Sequence, residues 1–238
     1  MTGAAAWCWT NTAPENWAEL LLKHRRKPIR RILKTMIDRS QHAAELMAFD
    51  RQYKQSGVVV AGMDEVGRGP LAGNVVTACV VMPEDPLIIW IDDSKKLSES
   101  RREKVFDEIM ANALYVGVGE VSPEEIDRIN ILEATRNAMR KAAADVPADI
   151  FLIDAVTKLG LKGKEMPIIK GDATSYSIAA ASIVAKVIRD RQMIELDRLY
   201  PDYGFARNKG YGTKEHIEAL KRIGPCPVHR RSFITHFI

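Results

Sequence analysis

Long apolar runs are missing from this 238-residue chain. No uninterrupted stretch approaches the roughly 20 residues that cross a bilayer, so no helical membrane span is expected. Cysteine is scarce. The three present, Cys8, Cys79 and Cys226, lie far apart and show no CxxC or Cys/His ligand spacing, which argues against a disulfide framework and against a zinc site. Cys79 sits within an apolar strand pattern and is expected in the core. The opening MTGAAAWCWTNTAPENW has neither the basic start nor the continuous apolar stretch of a secretory signal, so a cytoplasmic location is expected. No internal repeat or low-complexity tract is present. A glycine-rich segment, Gly67 to Gly73, lacks the GxxxxGK[ST] spacing of a phosphate-cradling loop, which argues against a P-loop nucleotide site.

Net charge is also small, at +4, but its distribution is informative. Residues 1–56 hold ten Lys/Arg against five Asp/Glu. A second basic segment, Tyr203 to Arg231, holds Arg207, Lys209, Lys214, Lys221, Arg222, Arg230 and Arg231 against Glu215 and Glu218. Between these flanks the notable residues are acidic. That arrangement suits a polyanion lying over metal-binding carboxylates, while any one of these cations reads more simply as solvated surface charge.

The chain is organised around Val58 to Gly73, VVVAGMDEVGRGPLAG. The unalternating valines predict a strand covered on both faces, and the glycines and Pro70 exclude a continuing helix. The strand runs into Asp64 and Glu65. Carboxylates at the exit of a buried strand are costly unless a cation offsets their desolvation, so a metal ion or a basic partner is expected, with an ion-paired turn as the plain alternative. Alternation along a strand would send Asp64 and Glu65 to opposite faces, so one site can use both only if the strand ends or bends between them.

Before this stretch, a helix is predicted from Glu15 to Lys27. An amphipathic helix follows through Ile29, Ile32, Leu33, Met36 and Ile37, then another over 43–53. After it, strands are predicted at 58–63, 75–82 and 87–91, antiparallel to one another, with a helix at 98–113 and a strand at 114–121. Ser122-Pro123-Glu124-Glu125 opens a helix to Ala144 as a capping box. Strands follow at 149–155 and 166–169, and a long small-residue helix over 174–200 would pack closely on the sheet. Thr213 caps a final helix that stops at Gly224-Pro225. The class is therefore α/β with a mixed sheet, in which three antiparallel strands precede alternating helices and strands. Residues 1–56 form a basic helical extension and 57–238 the main domain.

Two further acids stand out. Asp154 closes Phe151-Leu152-Ile153 as Asp64 closes its own strand, so the two meet at one sheet edge if those strands are neighbours. Asp172 is well placed to cap the long helix at Thr174 or Ser175. Without histidine or cysteine nearby, such a cluster is an oxygen-ligand site, suited to Mg²⁺ or Mn²⁺. Arg68, between Gly67 and Gly69, is a candidate phosphate partner. Lys95, in Asp93-Ser94-Lys95-Lys96, reads as phosphate contact or surface charge. Tyr211, between Gly210 and Gly212, could stack on a sugar or base, or cover a core edge.

Taken together, MDEVGRGPLAG, DSKKLS, FLIDA, KGDATSYSIAAASIVAKVIRDR, NKGYGTKEH and HRRSF, in this order from Ala61 to Phe233, resemble the bacterial ribonuclease HII family. The resemblance implies a ribonuclease H-like fold and Mg²⁺- or Mn²⁺-dependent endonucleolytic cleavage of RNA paired with DNA. Single ribonucleotides embedded in duplex DNA are included, with cleavage on their 5′ side leaving 3′-hydroxyl and 5′-phosphate ends. It implies Asp64, Glu65, Asp154 and Asp172 as catalytic metal ligands for two ions roughly 3.5–4 Å apart. Gly67, Arg68 and Gly69 would read the ribose 2′-hydroxyl, Tyr211 would pack on the deoxyribose at the junction, and Lys95 would contact phosphate. The GRG sequence favours this type over ribonuclease HIII. A monomer is expected. The basic N-terminal helices are expected to supply duplex affinity that other members obtain from helices after HRRSF. The alternatives are a same-fold nuclease of other substrate and a non-catalytic hybrid-binding module.

Overall fold

The computed structural model describes residues 27–238. The helix expected from Glu15, and Cys8, lie outside the described residues. The first helix, α1 (Lys27–Arg51), is continuous where two were expected. Then follow β1 (Val60–Val66), β2 (Val75–Val81), α2 (Glu99–Asn112), β3 (Tyr115–Val121), α3 (Pro123–Ile129), α4 (Ile131–Ala143), β4 (Ile150–Asp154), β5 (Lys164–Ile168), α5 (Tyr176–Leu199), α6 (Phe205–Asn208), α7 (Lys214–Ile223) and α8 (Arg231–Ile234). The sheet order is β3-β2-β1-β4-β5, antiparallel across the first three and parallel across the last three. This is the mixed sheet expected, with one correction of membership. Residues 87–91 are not a strand, and the third antiparallel strand is β3. The apolar run at 87–91 is buried against α5 instead, with the Tyr176 hydroxyl donating to Ile88 O and accepting from Ile88 N–H.

Side-chain alternation sorts the sheet into two cores. Ala78 and Val80 of β2 face α5, α1 and α2, whereas Cys79 and Val81 face α4 with Ala61, Met63, Phe151 and Ile153. Each fully buried aliphatic side chain contributes roughly 1.5–3 kcal/mol. Close contact across the sheet depends on glycine. A Cβ on Gly62 would stand 2.0 Å from the Ser177 carbonyl carbon, and one on Gly119 would stand 1.9 Å from Ala138 O. These glycines let α5 and α4 settle directly on β1 and β3, as the small residues of α5 lead one to expect.

The helix expected over 123–144 is two helices. Asn130 interrupts it at φ 70°, and its side-chain oxygen accepts from the N–H groups of Leu132 and Glu133. Asparagine tolerates this left-handed backbone and caps the second helix in the same step. α1 packs on the α5 face of the sheet. Ala43, Leu46 and Met47 of α1 are buried with α5, and the buried Asp50 carboxylate accepts from Ser175 Oγ (2.6 Å) and Ser177 N–H (2.8 Å). α1 therefore anchors the start of α5.

Candidate active site

The strand register decides which acids meet. β1 and β4 are parallel neighbours paired through Met63↔Ile153, so Asp64 and Asp154 are the next residues on both strands. Gly62 faces α5 and Leu152 is buried with Ile178 of α5; alternation puts Asp64 and Asp154 on that same face. Asp172 comes from the turn Gly171–Ala173 before α5, and the Gly171 N–H donates to Asp154 Oδ1 at 2.9 Å. Asp172 does not cap the helix. Ser175 does, accepting from Ile178 N–H, with Asp50 behind it. The Asp172 carboxylate is thereby left for Lys95, whose Nζ lies 3.4 Å from Asp172 Oδ2.

Glu65 departs from expectation. β1 stays paired through Glu65↔Thr77 and Val66↔Val76, so no bend separates the two acids; the chain turns only at Gly67, at φ 91°. Even so, the Glu65 carboxylate is close enough to act on both Asp64 and Asp154. Burial and then the Glu65 charge push the Asp64 carboxyl well above its usual range, with Asp154 adding to the effect and the Ser182 hydroxyl opposing it. Glu65 is raised first by burial, then eased by Arg68 and raised again by Asp154. Asp154 is raised by burial, opposed by the Gly171 N–H, and raised further by Asp172. For Lys95, burial works against the charge, but Asp172, Asp93 and Asp64 together hold the ammonium above its ordinary value.

Among the described residues no three His, Cys, Asp or Glu side chains already converge as a finished metal-ligand set. The acids nonetheless fit a divalent cation. Their donors are all oxygens, Arg68 and Lys95 only partly offset their crowding, and Glu65 Oε2 is buried without a hydrogen-bond partner among the described residues. An orphaned, desolvated carboxylate oxygen is costly unless a ligand completes it.

The substrate-side candidates gather at the same end. Arg68 lies 3.3 Å from Glu65 Oε1. Beyond it, Gly69 faces Tyr211: a Cβ there would meet only Tyr211 Cε1, at 3.9 Å. The two are tied by Leu71 N–H donating to Gly210 O at 2.8 Å. Tyr211 is itself held through a histidine pair. Cys226 N–H donates to His229 Nδ1, His229 Nε2 lies 2.9 Å from His216 Nε2, and His216 Nδ1 lies 2.9 Å from Tyr211 O. Both imidazoles neutral satisfies every one of these atoms, and burial pushes both below the ordinary histidine value.

Two buried residues at this site do not show in the sequence reading. Arg230, one of the cations of the C-terminal basic segment, is fully buried and not surface charge. Arg189 of α5 is also fully buried, donating to Ala72 O, Asn74 O and Lys209 O. Its signal was present, because it falls four residues after Ala185 and seven after Ser182, on the stripe that faces the sheet. Two open clefts lie elsewhere. One of about 330 Å³ is lined by Thr35, Asp38, Arg39, His42, Asp92 and Lys96; another, about 400 Å³, lies between α3 and Phe233.

A family model described as Ribonuclease HII matches residues 61–236. A protein named Ribonuclease HII from Caldanaerobacter subterraneus subsp. tengcongensis is 51% identical over 197 residues, which cover 82% of this chain and 82% of that one. Another of that name, from Ruminiclostridium cellulolyticum, is 50% identical over 210 residues, covering 87% and 82% respectively. Among solved structures, that of the PCNA:RNase HII complex from Archaeoglobus fulgidus matches with a TM-score of 0.63 at 29% identity, over 73% of this chain and 94% of that one.

Proposed function

The chain belongs to the ribonuclease HII family and is a hydrolytic endoribonuclease; from this we propose that it cleaves at ribonucleotides paired with DNA, using a divalent-cation site formed by Asp64, Glu65, Asp154 and Asp172. The substrates are RNA–DNA hybrids and duplex DNA with embedded ribonucleotides, cut on the 5′ side of the ribonucleotide to leave 3′-hydroxyl and 5′-phosphate ends. The observation that carries this reading is the meeting of acids from β1, β4 and the turn before α5, with Asp64, Glu65 and Asp154 raised by burial and neighbouring charge and Glu65 Oε2 orphaned among the described residues.

In this reading the four carboxylates hold Mg²⁺ or Mn²⁺. Bound divalent cations supply Lewis acidity to the phosphodiester and lower the pKa of the attacking water. The chain's own groups do the rest. Lys95 and Arg68, the cations beside the acids, steady phosphates on either side of the cut. Backbone groups of Gly67 to Gly69 meet the 2′-hydroxyl, and its absence leaves them unpaired, which disfavours DNA at that position. Tyr211, half-exposed across from Gly69, packs on the neighbouring deoxyribose. The catalytic unit is 57–238, acting as a monomer, and 1–56 is a basic extension that lengthens the duplex contact. A physical link supports this last role. Lys96, next to Lys95, lies 3.0 Å from Asp92 Oδ1, and Arg39 of α1 lies 2.7 Å from Asp92 Oδ2.

Asp64→Asn and Asp172→Asn test the site. Each is expected to abolish cation-dependent cleavage of a hybrid while leaving its binding within about threefold. Undiminished cleavage by either variant would remove that residue from the site.

A further inference from the structure

Arg230 makes five hydrogen bonds, and all five go to the carbonyls of one loop. Nε donates to Gly73 O at 3.0 Å, one terminal nitrogen to Arg68 O and Pro70 O, each at 2.9 Å, and the other to Gly67 O and Gly73 O at 2.6 and 2.7 Å. A guanidinium has five N–H donors in a planar fork, so its capacity is filled. The loop is fixed from the adjoining side by Arg189 and by Arg230 N–H donating to Leu71 O.

The consequence follows from peptide geometry. In a trans peptide the C=O and the following N–H point in opposite directions. Turning Gly67 O and Arg68 O inward to Arg230 turns the N–H groups of Arg68 and Gly69 outward. Both residues are exposed, and neither amide finds an acceptor among the described residues. Two parallel donors thus face outward beside Glu65 and Tyr211, placed to be accepted by one sugar oxygen.

We propose that Arg230 is the positioning residue for ribonucleotide recognition: the buried guanidinium gathers the loop's carbonyls and so presents the Arg68 and Gly69 amides to a 2′-hydroxyl. This role rests on the ribonucleotide-directed activity proposed above. A lysine cannot replace it. Three donors on one ammonium do not span four carbonyls in a plane, so Arg230→Lys keeps the buried charge and loses the loop's shape.

The experiment measures two affinities without divalent cation: for duplex DNA carrying one ribonucleotide and for the same duplex in DNA alone. The wild-type protein is expected to prefer the first. Arg230→Met should shrink that preference about tenfold, equivalent to about 1.4 kcal/mol, with the all-DNA affinity unchanged within twofold. Arg230→Lys, which serves if the methionine variant does not fold, should shrink it at least threefold. A preference that survives intact in folded Arg230→Lys overturns the role of Arg230, as does a loss in which both affinities fall together. If the wild type shows no preference at all, the ribonucleotide-directed reading fails, and this role fails with it.

Discussion

Asp64 and Asp154 are held against their own electrostatics. Each stands one residue past the Met63↔Ile153 pair of neighbouring strands, and burial raises both pKa values, with Glu65 and Asp154 adding to it at Asp64 and Asp172 adding to it at Asp154. A carboxyl whose folded pKa exceeds its unfolded one adds stability below the unfolded value and loses it as pH rises through the folded value. At neutral pH the charged pair therefore destabilises the cation-free protein. Asp64→Asn is expected to raise the melting temperature in EDTA by about 2 °C or more, and Mg²⁺ to raise that of the wild type but not that of the variant. A lower melting temperature for Asp64→Asn in EDTA would contradict this. These two acids were legible in the sequence because each closes an apolar run. Asp172 was only half legible, since its position also suits a helix cap and only the fold gives that task to Ser175. Arg230 was not legible, because its partners lie about 160 residues away and sequence spacing says nothing of a cation satisfied by distant carbonyls.

At the scale of elements, the site depends on α5 lying directly on β1. Gly62 makes that possible, with its missing Cβ facing Ser177 backbone rather than a movable side chain. Gly62→Ala is expected to cost roughly 1–3 kcal/mol, read as a lower denaturation midpoint, and to weaken cleavage beyond the stability loss because Ser182 and the turn holding Asp172 shift with the helix. An alanine variant of wild-type stability would show that α5 is not seated as described. The order of helices and strands was legible from periodicity and caps. The run at 87–91 was misread because β-like composition cannot tell a strand from a buried loop; what decides is whether a partner strand is free, and β2 already pairs with β1 and β3. The break at Asn130 was missed because a left-handed asparagine leaves no periodicity signal.

At the scale of the molecule, charge is arranged around the acidic edge. The first turns of α1 carry Arg30, Arg31 and Lys34, all exposed, and Lys96 and Arg39 connect this helix to Lys95 through Asp92. Burial works against the Asp92 charge, yet Lys96, the Asp93 N–H and Arg39 hold its carboxyl at about 2. Deleting 1–56 would strip Ala43, Met47 and Asp50 from the core, so the contribution of the extension is better tested by replacing Arg30, Arg31 and Lys34 with Gln. Hybrid affinity should fall, and the slope of log affinity against log salt should flatten by about 0.9 for each phosphate that is no longer neutralised. An unchanged slope would leave the extension without a role in binding.

In the proposed reading these four acids and the Gly67–Gly69 loop together cut where a ribose interrupts DNA. The most direct measurement incubates the protein with duplex DNA containing one ribonucleotide, in Mg²⁺ or Mn²⁺, and maps the ends. A single cut is expected on the 5′ side of the ribonucleotide, with 3′-hydroxyl and 5′-phosphate ends, and none in the all-DNA duplex. Equal cutting of both duplexes, or a cut at any other phosphate, would contradict it.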